Sequence, residues 1–209
     1  MISKQEINFQ DFGEDEIESI VFDFGSDMIK AGFAGENSPR VILRTIVGRQ
    51  KYIGIMTGGM GGKDTYIGEE AISKRGILNL KCPLEKGMII NWDDMEKVWH
   101  HTFYNELRIA PEEHPFLFSE FFLNPKKHQE KITEIMFEIF EVPAFYSEKS
   151  ELFSLISSGK RTGLMIQSGH DLSYCVSIFE GEILNDSFTQ LNLAGKSITE
   201  YLIKRDEQT

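Results

Sequence analysis

A layered α/β fold is what this sequence predicts, and three observations carry the prediction. Short β-prone apolar runs alternate with helical stretches. A strand–turn–strand unit near the start of the chain is written a second time from Leu164. Between the two copies lies an amphipathic helix opening at Asn91. With 209 residues, 41% hydrophobic and 26% charged, the chain is large enough and apolar enough to bury a real core. Lys+Arg number 22 against Asp+Glu 33, a net charge of −11, and this acidic balance argues against nucleic-acid partners. Cys82 and Cys175 are too few for a disulfide scaffold and lack metal-ligand spacing. No apolar run approaches the ~20 residues that span a bilayer, so no membrane role is expected. The polar first residues resemble neither a signal nor a transit peptide, which points to an intracellular location.

Residues 1–18 read as a solvated acidic tail, with Asp11, Glu14, Asp15, Glu16 and Glu18 close together. Ser19-Ile20-Val21-Phe22 begins the first strand, and Asp23-Phe24-Gly25-Ser26-Asp27 turns it into a second over Met28–Phe33. Val41-Ile42-Leu43 predicts a third strand. From Arg49 to Lys63, five glycines forbid a stable helix, so the segment reads as a mobile loop. Its apolar residues, among them Ile55 and Met56, leave open whether it is a linker or a contact element.

Asn91 is the expected N-cap of the main helix, and Asp93 and Asp94 complement the positive end of its dipole. Trp92, Met95, Trp99, Phe103 and Leu107 form its apolar stripe, which reads as core, and Pro111 is expected to stop it. His100 and His101 point in different directions on that helix, which argues against a shared metal. Phe116-Leu117-Phe118 predicts a strand. Helices are expected from about His128 to Phe140 and from Glu148 to Ser157. Lys126, His128 and Lys131 read as a solvated face.

Leu164-Met165-Ile166-Gln167-Ser168-Gly169-His170-Asp171 repeats the first hairpin, placing Gln167 on Asp23, Gly169 on Gly25 and Asp171 on Asp27. Such a duplication suggests a site between the two turns. The run from Asn91 to Arg108 resembles actin almost letter for letter. So do Lys30–Gly35, Ile46–Arg49, Ser73–Leu78, Ala110–Pro115 and Leu123–Lys126. The similarity runs from about Glu18 to Lys204 and implies the actin-like ATPase fold, built from ribonuclease-H-like halves. By that resemblance residues 19–44 and 83–157 belong to the first subdomain. Residues 45–82, with the glycine-rich loop 49–63, form the second, and 158–209 begin the third.

The resemblance implies a cleft for ATP or ADP with Mg²⁺ or Ca²⁺. Ser26 and Lys30 would hold phosphate, Asp23 would hold the waters of the metal, and Gly25 and Gly169 would allow close backbone approach. The positions that orient the attacking water in the family are changed to Ser150, Gln167 and Tyr174, so hydrolysis is not expected. Asp27 and Asp171 stand where the family has glycine. A carboxylate ~5 Å from a phosphate charge would cost ~3 kcal/mol at an effective dielectric of ~20. Lys86 occupies the position of the family's methylated histidine. The loop matches the family's DNase-binding loop, with Tyr52 in place of histidine and Ile55 and Met56 as apolar anchors.

Actins are nearly twice as long, which suggests either a truncated gene product or a divergent protein completed by a partner. The expected function is that of a non-catalytic cytoskeletal protein contacting actin or actin-like subunits. Because the chain would bring the loop without the surface that receives one, it is expected to bind filament ends. Actin-binding proteins and chaperones are further expected partners, since Ile198, Tyr201, Leu202 and Ile203 would start a helix with nothing to cover it. The alternatives are an ATP-binding, filament-forming actin with weak ATPase activity, and a nuclear chromatin-complex subunit.

Overall fold

A computed structural model describes residues 17–51 and 63–207. The predicted hairpin forms from β1 (Ile20–Phe24) and β2 (Met28–Phe33), and β3 (Val41–Arg44) extends it antiparallel to β2. Strand alternation drives Ile20, Phe22 and Phe24 into the core. β4 (Val47–Gln50) comes at once after it and takes Arg49 and Gln50 out of the predicted loop. The reason is pairing. β4 lies between β5 (Tyr66–Ile67) and, beyond the short helix α1 (Gly68–Ser73), β6 (Leu78–Lys81). Tyr52, Ile55 and Met56 fall outside the described residues, as do residues 1–16 of the predicted tail.

A small hairpin unforeseen in the sequence comes next, β7 (Leu84–Glu85) and β8 (Met88–Ile89), closed by Lys86 and Gly87. The main helix α2 (Trp92–His100) is capped as predicted, the Asn91 side chain accepting the Asp94 N–H at 3.0 Å. Arg49 of β4 forks onto the buried Asp94 carboxylate, with Nη1 at 3.0 Å from Oδ2. The helix ends earlier than expected and by another device. It widens into a π-helical stretch, His101–Leu107, and stops where Arg108 turns left-handed at φ 57°. The N–H groups of Arg108 and Ile109 both return to the Phe103 carbonyl, whereas Pro111 only opens a short 3₁₀ turn. Met95, Trp99 and Phe103 are fully buried, as the stripe requires.

β9 (Phe116–Glu120) runs parallel to β1, and after α3 (Lys126–Glu138), β10 (Phe145–Lys149) runs parallel to β9. The sheet order is β10-β9-β1-β2-β3. Its core is aromatic: Phe22 stacks on Phe118 at 4.9 Å, and Phe103 meets Phe140 edge-on at 5.0 Å. Glu148 and Lys149, expected in a helix, extend β10 instead, and α4 (Ser150–Ser157) starts after them. Strand pairing sets Lys149 opposite Glu120, where the ammonium lies 2.6 Å from a buried carboxylate. That tertiary pairing outweighs the local helical preference.

The repeated hairpin forms from β11 (Gly163–Ser168) and β12 (Ser173–Phe179), and β13 (Glu182–Leu191) completes an antiparallel three-stranded sheet. Helix α5 (Gly195–Asp206) comes after it. One face of this sheet buries Tyr174, Val176 and Ile178, with Leu155 of α4 reaching Gly163. The other presents Leu164, Ile166, Leu184 and Leu191 to solvent, Ile166 being 74% exposed. Ile198, Tyr201, Leu202 and Ile203 of α5 are exposed as well. Rings of Phe121, Phe122, Tyr174 and Phe188 join this sheet to the end of β9.

Candidate functional site

The duplication seen in the sequence is a duplication of turn geometry. Gly25 donates its N–H to the Met28 carbonyl at 3.1 Å, and Gly169 donates its own to Leu172 at 2.9 Å. Each turn is braced by the segment just beyond its own sheet strands. Thr45 Oγ1 donates to the Gly25 carbonyl at 2.7 Å, while the N–H groups of Gly195 and Lys196 at the head of α5 bond the carbonyls of Gly169 and His170. The turns face a cleft of about 550 Å³. Asp23, Gly25, Ser26 and Lys30 line it from the first hairpin, Gln167, Gly169 and Tyr174 from the second, and Ser150 from the head of α4.

The two glycines differ. A Cβ at Gly25 would lie 2.9 Å from the Met28 carbonyl oxygen, closer than the hairpin allows. At Gly169 the nearest atom would be 3.5 Å away, an ordinary contact. Both glycine N–H groups are committed to closing their turns, and both residues line the cleft. Asp23 accepts a hydrogen bond from Ser119 and lies 3.7 Å from Lys30. Ser26 Oγ accepts the Gly87 N–H at 3.3 Å, which leaves the hydroxyl proton to donate.

Asp27 and Asp171 enter the cleft in paired form. Arg44 holds Asp27 at 2.6 Å, and Asp171 accepts the backbone N–H of Lys86 at 3.0 Å. The repulsion calculated for a bare carboxylate is therefore an upper limit at Asp27, where a guanidinium already balances the charge. Neither residue lies at positive φ, so backbone strain at these two positions is absent.

Behind the cleft wall, the Tyr174 hydroxyl contacts the buried Glu151 carboxyl and lies 2.8 Å from Gln167 Oε1. Burial pushes the Glu151 carboxyl above the usual carboxylate range, against the opposing pull of its tyrosine hydrogen bond. Burial, then the neighbouring Glu151, push the tyrosine above its ordinary value. The tyrosine hydroxyl is the donor toward both the Glu151 carboxyl and the Gln167 amide oxygen. This chain engages two of the three substituted positions with each other.

Sequence reading missed Arg44, Ser119, Glu151 and the Lys86–Gly87 turn. Gly87 between Leu84 and the apolar pair Met88-Ile89 was a signal for the last. The other three are strand and helix residues whose partners lie far away in the chain. His170, a third exposed, lies in the cleft with Nε2 3.9 Å from Asp171.

Comparison with known proteins agrees with this duplicated architecture. The family model for actin matches residues 14–208. The Dictyostelium discoideum protein that carries the name actin-29 is 48% identical over 200 residues, covering 95% of this chain and 51% of that relative. The chain thus spans about half the length of the curated relative it matches. With nearly all of its length matched and almost every second residue shared, the chain belongs to the actin family.

Proposed function

We propose that this chain is a non-hydrolysing actin-family protein that acts by contact with actin or an actin-like assembly in the cytoplasmic cytoskeleton. The observation that carries the contact is the open apolar side of the β11–β13 sheet, with further exposed apolar residues on α5. Contiguous apolar patches left on a surface mark sites of protein contact. An actin-type subunit is the occupant this reading selects, because the chain belongs to the actin family. The glycine-rich loop would add Tyr52, Ile55 and Met56 as a second contact.

The cleft residues fit a phosphate ligand. Ser26 would donate its hydroxyl proton and Lys30 would supply charge. A hydrated Mg²⁺ or Ca²⁺ needs few protein ligands, and Asp23 would hold its waters. The bound metal would screen phosphate charge. Hydrolysis also needs a water held in line by a free acceptor. The cleft carboxylates Asp23, Asp27, Glu120 and Asp171 are all engaged with neighbours. Purified protein should release no phosphate from Mg·ATP above buffer, and turnover abolished by Asp23→Ala would refute this. In pyrene-actin elongation the protein should change the rate at filament ends, whereas Ile166→Asp and Ile55→Asp/Met56→Asp should weaken the effect. Equal activity of all variants would refute the contact.

A second reading, an ATP-binding, filament-forming actin with weak ATPase activity, is favoured by His170, an imidazole in the cleft beside a carboxylate. It predicts slow phosphate release that His170→Ala removes.

A further inference from the structure

The Lys86–Gly87 turn has contacts to both hairpin turns. Its two residues are at φ 51° and 78°, the mirror-image geometry of a two-residue hairpin. Its successive N–H groups both point to the cleft turns: Lys86 donates to Asp171 Oδ2 at 3.0 Å, and Gly87 to Ser26 Oγ at 3.3 Å. Paired backbone N–H groups at a turn are a common seat for a phosphate oxygen. Here an anion is already in place, and it is the chain's own. The Asp171 side chain is only 13% exposed, and its other oxygen lies 3.9 Å from His170. Asp27, the equivalent residue of the first hairpin, is turned aside onto Arg44 and does not reach the Lys86–Gly87 turn.

We infer that Asp171 is a built-in ligand of the cleft, a latch that ties the second hairpin to the first half of the molecule and keeps phosphate-bearing ligands out. The inference rests on reading the cleft as a nucleotide site. An entering phosphate meets the carboxylate in two ways. The Lys86 N–H is occupied, and the incoming charge has the same sign. Displacing the side chain would break the one backbone-to-carboxylate bond that joins the two hairpin regions through this turn. The latch is therefore a regulatory contact: the Lys86 N–H is occupied by default and is freed only by a ligand that outcompetes Asp171.

Two variants of the full chain separate the parts of this argument. Asp171→Asn keeps an oxygen that accepts the Lys86 N–H but removes the charge, and Asp171→Gly removes both. Amide exchange at Lys86 should be slow in the parent and in Asp171→Asn, and at least tenfold faster in Asp171→Gly. Mg·ATP affinity, measured by calorimetric titration, should rise at least tenfold in Asp171→Gly and by a smaller factor in Asp171→Asn. Lys86 exchange that is the same in all three proteins would overturn the latch. Equal, measurable ATP affinity in all three would overturn the exclusion of phosphate while leaving the nucleotide reading intact. Absence of ATP binding in every variant would remove the nucleotide reading, and the inference with it.

Discussion

Ile166 and Ile178 sit on opposite faces of the same three-stranded sheet, one 74% exposed and the other 1%. Full burial of an isoleucine side chain is worth roughly 1.5–3 kcal/mol. With about a quarter of its surface covered, Ile166 contributes roughly 0.4–0.8 kcal/mol by the same scale. Ile166→Thr keeps the β-branch and should lower stability by no more than that, a Tm loss of about 1–3 °C for a chain of this size. Ile178→Ala empties a packed site and should cost about 2–5 kcal/mol, or about 4–20 °C. Urea unfolding followed by the fluorescence of Trp92 and Trp99 measures both, at several protein concentrations and with gel filtration alongside. Equal losses at the two positions would refute the open-face argument, because they would mean that Ile166 is covered in solution. A loss at Ile166 that grows with protein concentration would name a second copy as the cover.

The buried Glu151 gives a pH prediction with a definite sign. Its folded-state pKa lies above the unfolded value, near the ordinary 4.5, so its contribution is fully present below that value and is lost as pH rises through the folded pKa. Glu151→Gln should accordingly leave Tm unchanged near pH 4 and raise it progressively toward pH 8, and a Tm gain that shrinks with pH would contradict the sign. At the turns, Gly25→Ala should cost about 1–3 kcal/mol because its Cβ meets the Met28 carbonyl. Gly169→Ala should fall within about 0.5 kcal/mol of the parent in urea titration, and equal losses would show that the turns are not the different environments described.

Local chemistry made the fold legible where one element decides its own form. The Asn91 cap, the stripe through Met95, Trp99 and Phe103, and the two hairpins could be read because each signal lies within a few residues. Boundaries decided by distant partners could not. Glu148 and Lys149 look helical until Glu120 is known to lie opposite, and Arg49 looks like loop until β6 and Asp94 claim it. The cleft divides in the same way. Its glycines were visible in the repeated motif and Ser26 and Lys30 in the resemblance, and the structure gathers all four along one cleft. The pairing of Asp27 with Arg44 and of Glu151 with Tyr174 spans 17 and 23 positions. Charge repulsion could be foreseen from the resemblance, which sets Asp27 and Asp171 on glycine positions, but its balance at Asp27 depended on a neighbour that only the fold supplies.

The Lys86–Gly87 turn has a consequence for which substitutions the chain can tolerate. Both of its cleft contacts are made by main-chain N–H groups, so nothing in them depends on what residue 86 carries beyond its backbone. The lysine head can be acetylated, shortened or exchanged without breaking either bond, provided the replacement accepts a left-handed backbone. Position 87 has no such latitude. Its φ is 78°, and an added Cβ would press to 3.0 Å on the ring-bearing carbon of Phe121. Two adjacent residues doing the same geometric work are thus under opposite constraint, one free to drift in side-chain chemistry and the other held to the smallest residue there is.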